Sequence, residues 1–178
     1  MTQVNPTSRR IFLDANVIIE AFRISVWSEL SRGHHLETVD MCEREALTGD
    51  TASYGHVAID AAALTAGLKA SHIVTRDERN KLTKAHGACT TMDPGEKDLF
   101  AHLFAKPSPL PPIIVLSSAD KGVIVRAKDL GWLEHLISLE ELLHGCGVTR
   151  SKLEKLDRPY SISFLAEKRT QVLLGVIP

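Results

Sequence analysis

Arg10-Ile11-Phe12-Leu13-Asp14-Ala15-Asn16-Val17-Ile18-Ile19 decides how the rest of the chain is read. Ile11 to Leu13 is a short apolar run of the kind that forms a buried strand, and it ends on a carboxylate, Asp14. Asn16 is placed to cap a helix that carries Val17, Ile18, Ala21 and Phe22 at helical spacing. A strand followed at once by a helix is the unit of an open parallel sheet, in which ligands bind beyond the carboxyl ends of the strands. Asp14 therefore faces the expected site, although an Asp there can equally end a strand or help cap a helix. Whether other acids reach the same edge decides between the two.

Outward from this stretch the alternation continues. His35 to Val39 fits a second strand, and Asp40 to Leu47 a helix closed by Gly49, with a loop from Asp50 to Gly55. The alanine-rich run from Ala58 to Ala70 favours helix, and Asp77 to His86 a charged surface helix closed by Gly87. Thr90 to Gly95 is turn material, with Asp93 initiating and Pro94 unable to continue a strand. A helix from Glu96 carries the stripe Leu99, Phe100, Leu103 and Phe104. Lys106 to Pro112 holds four of the chain's eight prolines and breaks it. Ile113-Ile114-Val115-Leu116 is the clearest buried strand. Ser117-Ser118-Ala119-Asp120 ends it, and a helix from Lys121 to Leu130 stops at Gly131. Leu136-Ile137 predicts a last short strand, and Ser138 to Glu141 has the capping-box spacing that opens a helix through Leu143. The expected fold is a three-layer α/β/α domain with a mainly parallel central sheet over residues 8–145. Residues 146–178 form a helical extension on or beside it, with a basic patch (Arg150, Lys152, Lys155, Arg158) and a helical run from Ser163 to Leu174.

A chain of 178 residues is large enough to bury a core without staples. Its hydrophobic share of 44% and charged share of 24% are those of a globular protein. A formal net charge of -1 gives no global basic excess of the kind that marks many nucleic-acid binders, which leaves only local patches for that role. Cys42, Cys89 and Cys146 are an odd set without CxxC spacing, which argues against a disulfide framework or zinc knuckle and suits a reducing cytoplasm. Met1 to Arg10 is polar with Pro6 inside it, unlike a signal peptide, and no apolar run reaches the ~18 residues of a membrane span.

Acids recur at equivalent places. Asp14 follows the first strand, Glu45 lies in the helix after the second, Glu96 and Asp98 start a later helix, and Asp120 follows the best strand. Carboxylates gathered on one sheet edge repel one another by several kcal/mol in a partly desolvated cleft, and a divalent cation among them relieves this. Oxygen-only donors suit Mg²⁺ or Mn²⁺. Each acid also has a plainer role: Asp120 as a helix cap, and Glu96 and Asp98 as first-turn acids favoured by the helix dipole. Glu43 competes with Glu45, since helical phase does not separate them. Glu96 shares a face with Phe100 and Leu103, whereas Asp98 lies opposite with His102. Ser118 could cap, or hydrogen-bond an acid or a phosphate, and Asn16 could orient Asp14. Lys121 and Arg126 face either a substrate phosphate or solvent.

Taken together, these segments resemble the PIN-domain ribonucleases. Ile11 to Ile18 resembles that family's opening strand and acid, and Glu45-Ala46-Leu47-Thr48-Gly49 its second element of acid, hydrophobe, spacer and glycine. Asp93-Pro94-Gly95-Glu96-Lys97-Asp98-Leu99 is similar to its acidic third motif. Ser118-Ala119-Asp120, with Gly131 eleven residues on, is similar to the fourth. The resemblance covers roughly Arg10 to Leu143. It implies Mg²⁺- or Mn²⁺-dependent endonucleolytic cleavage of RNA, with Asp14, Glu45, Glu96, Asp98 and Asp120 as metal ligands and Asn16 and Ser118 near the substrate. It also implies an RNA substrate and, for a toxin of this family, an antitoxin protein as partner; a homodimer is compatible with the sequence. Two other readings compete. One is a catalytically silent module of the same fold that binds RNA or a protein, and the other a phosphotransferase or hydrolase with Asp14 as nucleophile. Asn at position 16, where a DxD pair would have Asp, and the lack of a phosphate loop count against the last.

Overall fold

Alternate residues of the first strand enter two different cores, and that alternation builds the layers. The computed structural model describes residues 9–48 and 57–177. In β1 (Arg10–Leu13), Phe12 points to one face of the sheet, while Ile11 and Leu13 point to the other. It pairs in parallel with β2 (His35–Val39) on one side and β4 (Ile114–Ser117) on the other, and β2 pairs in parallel with β3 (Ala70–His72). The strand order β3-β2-β1-β4 reverses direction between β1 and β4. In an open parallel sheet, that switch point opens a crevice beyond the carboxyl ends of the two strands.

Helices cover both faces, as the sequence leads one to expect of a three-layer α/β/α domain. Ile11, Leu13, Leu36 and Val115 pack with α1 (Ala15–Arg23), α2 (Trp27–Gly33), α4 (Ala61–Gly67) and α8 (Leu139–Leu143). Phe12, Val39, Ile114 and Leu116 pack with α5 (Arg76–Ala85), α6 (Pro94–Phe104), α7 (Lys121–Asp129) and α10 (Ile162–Leu173). Between β2 and α4 lies α3 (Asp40–Thr48), which turns Cys42 into the second of these cores and Ala46 into the first. The short α9 (Arg150–Leu153) lies in the extension.

The extension is tied to the domain rather than appended to it. Lys152 Nζ donates to the Ser25 carbonyl and pairs with Glu29, both at 2.6 Å. Buried Glu20 accepts from the Asp157 backbone N–H at 2.9 Å, and Leu165 and Val172 of α10 enter the core against α7. Arg150 pairs with Glu154 and Arg158 with Glu167, so three of the four cations in the basic patch are matched by acids. Among the described residues no helix is long and apolar enough to cross a membrane.

Several expectations are corrected. The N-cap position of α1 is held by Asp14, not by Asn16, which lies inside the helix and is exposed. The helix expected over Ala58 to Ala70 spans only Ala61–Gly67, and Ala70–His72 is instead the edge strand β3. The helix α2 was not signalled beyond its buried Trp27 and Leu30. Leu136 contributes a single parallel bridge to Leu116 rather than a strand. Gly49 and the loop from Asp50 to Gly55 lie outside the described residues.

Candidate functional site

Asp14 occupies the N-cap position of α1, yet its side chain does not cap the helix. It is 2% exposed, and its Oδ2 accepts a 2.9 Å hydrogen bond from Ser118 Oγ, which hangs from the residue just past β4. The register that pairs Leu13 with Ser117 makes this possible, because the two chains leave the sheet side by side. Ser118 Oγ in turn accepts from the Asp120 backbone N–H at 3.2 Å, which orients the turn. Burial pushes the Asp14 carboxyl up to about 6, against the opposing pull of the hydrogen bonds from Ser118 and the Ala15 backbone; Glu45 and Asp120 nearby push it the same way as burial.

Asp120 caps α7 as its position suggests, its Oδ1 accepting from the Gly122 N–H at 2.5 Å and the Val123 N–H at 3.2 Å. Glu45 does an equivalent job across tertiary space. Asp93, the nominal cap of α6, makes no side-chain cap bond, and Glu45 Oε1 instead accepts from the Gly95 N–H at 3.0 Å in the first turn of α6. The approach is so close that a Cβ at position 95 would lie 2.2 Å from Glu45 Oε2 and 3.0 Å from Cys42 Sγ. Glycine at 95 is what allows the acid of α3 to reach α6. Burial raises the Glu45 pKa, the Gly95 bond lowers it, and Asp93 and Asp98 raise it further.

Glu96 differs from these three. It is 8% exposed, and among the described residues no side chain hydrogen-bonds it or pairs with it. Burial first, then the charges of Asp14, Asp120 and Asp93, push it up to about 8, with only the Asp93 backbone acting the other way. It lines a cleft of about 200 Å³ with Asp93, Asp120, Thr91, Gly122 and Arg126. Asp98, by contrast, faces α5. Arg79 grips it with two bonds, Nε to Oδ1 and Nη2 to Oδ2, both at 2.5 Å, so its charge is matched away from the cleft.

The structure therefore brings Asp14, Glu45, Glu96 and Asp120 to the switch-point crevice, with Ser118 holding Asp14, and it commits Asp98 to Arg79. Asn16 is exposed on α1, and no side-chain hydrogen bond links it to Asp14. Glu43 makes no hydrogen bond to the cluster either. Of the lining residues that the sequence reading did not place in the site, two are charged. Asp93 was taken as a turn residue, and its place at the mouth follows from Glu45 having displaced it as the cap. Arg126 reads from sequence as a solvated helix face in preference to a phosphate contact; its spacing of six residues from Asp120, less than two turns along α7, is the signal that it can reach the cleft.

The donors are all carboxylate oxygens, which in kind fit a hard divalent cation. Among the described residues, no group of three or more His, Cys, Asp or Glu side chains stands ready to hold an ion as it is. Closing a shell would draw on Glu96, which has no competing side chain. The fold and site thus define a parallel α/β domain with a buried acidic cluster at its switch point. Comparison of the chain with family models, with curated proteins and with solved structures finds no match.

Proposed function

We propose that this protein is a divalent-metal-dependent endoribonuclease, with its site at the crevice beyond β1 and β4. The observation that carries the reading is Glu96: a carboxylate buried beside two others, with no ion pair and no side-chain donor to offset its desolvation. Structural acids in this chain are treated differently. Glu37 and Asp98, 1% and 2% exposed, are each clasped by an arginine. An acid beside the charges of Asp14 and Asp120, offset among the described residues only by the Asp93 backbone, supports a role in cation binding. Asp14, Glu96 and Asp120 would hold the ion, with Glu45 lending charge from α3. When bound, such an ion stabilises developing phosphoryl charge and lowers the pKa of a bound water. Ser118 fixes the rotamer of Asp14, and Gly95 lets Glu45 close the floor of the site. No serine or cysteine nucleophile is required; Cys42 is buried, and burial together with Asp14 raises its thiol pKa well above the usual range. The resemblance to the PIN-domain ribonucleases points to RNA as substrate, and growth arrest on expression, relieved by a protein partner, would extend the reading to a toxin.

The test is cleavage of a labelled RNA in Mn²⁺. The reading expects wild-type cleavage that falls at least about a hundredfold in Asp14→Asn and Glu96→Gln, about 2.7 kcal/mol of transition-state stabilisation. RNA left intact by the wild type, or cleaved equally by both variants, overturns it.

A second reading, a catalytically silent module of this fold that binds RNA or protein, is favoured by a specific observation. Three of the four converging acids already have partners within the protein, in Ser118, the Gly95 N–H and the cap of α7. Saturable Mn²⁺ binding separates the two, because a silent module has no need of it.

A further inference from the structure

The acidic cleft is one of two cavities that share the same walls. The second, of about 250 Å³, is lined by aromatic and polar groups together, among them His86, Phe104, Lys106, Asp129 and Trp132. On one wall, α7 gives Gly122 and Arg126 to the acidic cleft and Asp129 to the second cavity. On the other, the 3₁₀ turn Gly87–Thr91 is flanked by His86 in the second cavity and ends on Thr91 in the acidic cleft. The two cavities thus border the same helix and the same turn, whose buried side chains, Cys89 and Val125 among them, pack in one core. Gly122 and Asp129, seven positions apart, are separated by about 10 Å along the helix.

We propose that a single strand of RNA runs along α7 from one cavity to the other, in a groove that joins them over the helix surface, with Arg126 meeting a backbone phosphate next to the acidic cluster and a base entering the pocket of His86, Phe104 and Trp132. This rests on the ribonuclease reading for the identity of the strand. The chemistry of each end fits its part. Arg126 holds only a surface pair with Asp129 at 3.2 Å, the kind that contributes little and is readily exchanged for a phosphate. It stands in the same cleft as Glu96, a residue 8% exposed whose carboxylate has no side-chain partner among the described residues. A phosphodiester in that cleft would meet the guanidinium on one side and the carboxylate cluster, with its cation, on the other. At the far end, His86 meets Phe104 edge to face with ring centroids 5.4 Å apart, beside Trp132. Planar rings with a donor in Lys106 and an acceptor in Asp129 match the face and the edge of a nucleobase. A free mononucleotide has the same chemistry, but it cannot fill both ends, which argues for a strand.

The experiment is fluorescence anisotropy of a labelled single-stranded RNA oligonucleotide in Mn²⁺, using the full chain in an Asp14→Asn background that keeps the RNA intact. Arg126→Ala is expected to weaken binding at least tenfold and to lower the salt slope by about one, with partial recovery in Arg126→Lys. Lys81→Ala, an exposed cation of α5 that lines neither cavity, changes binding less than twofold. Bound RNA quenches tryptophan emission, and Trp132→Phe removes the quench while Trp27 remains. Binding unaffected by Arg126→Ala, or a nucleoside monophosphate that binds as tightly as the oligonucleotide, overturns the groove. RNA that is cleaved in an Asp14-dependent way but ignores Arg126 overturns the groove and leaves the ribonuclease reading standing. RNA bound through Arg126 that the wild type never cleaves in Mn²⁺ does the reverse, and no binding and no cleavage overturns both.

Discussion

Glu96 and Gly95 are neighbours with opposite consequences for the site, and each can be tested alone. The ordinary Glu pKa is 4.5, and in the folded protein burial and the charges of Asp14, Asp120 and Asp93 raise that of Glu96 to about 8. Between those values the folded state holds a proton that the unfolded state has released. The protonated carboxyl is therefore tolerated at low pH, and stability is lost as pH rises through that window. With a chelator present, Glu96→Gln should match the wild type near pH 4 and be more stable by a few kcal/mol, roughly, at pH 9. Urea unfolding at the two pH values checks this, and a variant less stable at pH 9 would mean that the acid has a partner. Gly95→Ala drives a methyl group into the Glu45 carboxylate. That carboxylate ends a flexible side chain and can turn away, so the expected stability cost is only about 1 kcal/mol, one hydrogen bond. RNA cleavage should nevertheless fall about tenfold, because Glu45 leaves the cluster. Much at this scale was legible: the i, i+4, i+7 phase of Glu96, Phe100 and Leu103 anticipated that Glu96 and Asp98 face opposite ways. The cap of α1 was not, because Asn and Asp cap equally well and nothing local says which of Asp14 and Asn16 begins the helix.

At the level of elements, the edge strand β3 joins the sheet through its backbone ladder to β2 and a polar side-chain contact, with no apolar run of its own, which is why the sequence concealed it. Ala70-Ser71-His72 is short, half-exposed and without β-branched residues, so it gives no strand signal. Beside the backbone ladder, His72 ties it to Glu37 of β2. Desolvation alone would raise the Glu37 pKa, but bonds from Arg10 at 2.5 and 2.7 Å and from His72 Nε2 at 2.6 Å hold it down at about 2. The stabilisation is present above the ordinary value of 4.5 and is lost as pH falls toward 2. Glu37→Gln should cost about 2 kcal/mol at pH 7, less than the about 3–5 of a fully buried pair, because Arg10 remains a third exposed. The difference from wild type should shrink below pH 4, as chemical denaturation across pH would reveal; a constant difference would assign the loss to packing. The strands β1, β2 and β4 were legible because apolar runs with β-branched or aromatic residues mark them. The helix α2 was not, because only Trp27 and Leu30 of its seven residues are buried.

For the whole molecule, the boundary expected near residue 145 separates a domain from an extension, but the packing does not respect it. Leu165 and Val172 fill the core over α7, and Arg169 donates to the carbonyls of Leu133 and Leu136. A chain ending at 145 should therefore lose cooperative unfolding, as calorimetry would show, whereas a sharp transition at the wild-type midpoint would mean that the extension only decorates the surface. The three layers and the parallel sheet follow from strand–helix alternation, and so does the meeting of Asp14 with the β4 turn, since each acid lies just past a strand end. That Ser118 would join them needed the register of β1 on β4, which no local pattern specifies. The account turns on one claim, that the cluster at this switch point takes a divalent cation. Isothermal titration of the full chain with Mn²⁺ tests it most directly. The account predicts saturable binding near one ion per chain that releases protons around neutral pH and is lost in the Asp14→Asn, Glu96→Gln double variant. Heats no greater than dilution for the wild type, or binding retained in the double variant, would contradict it.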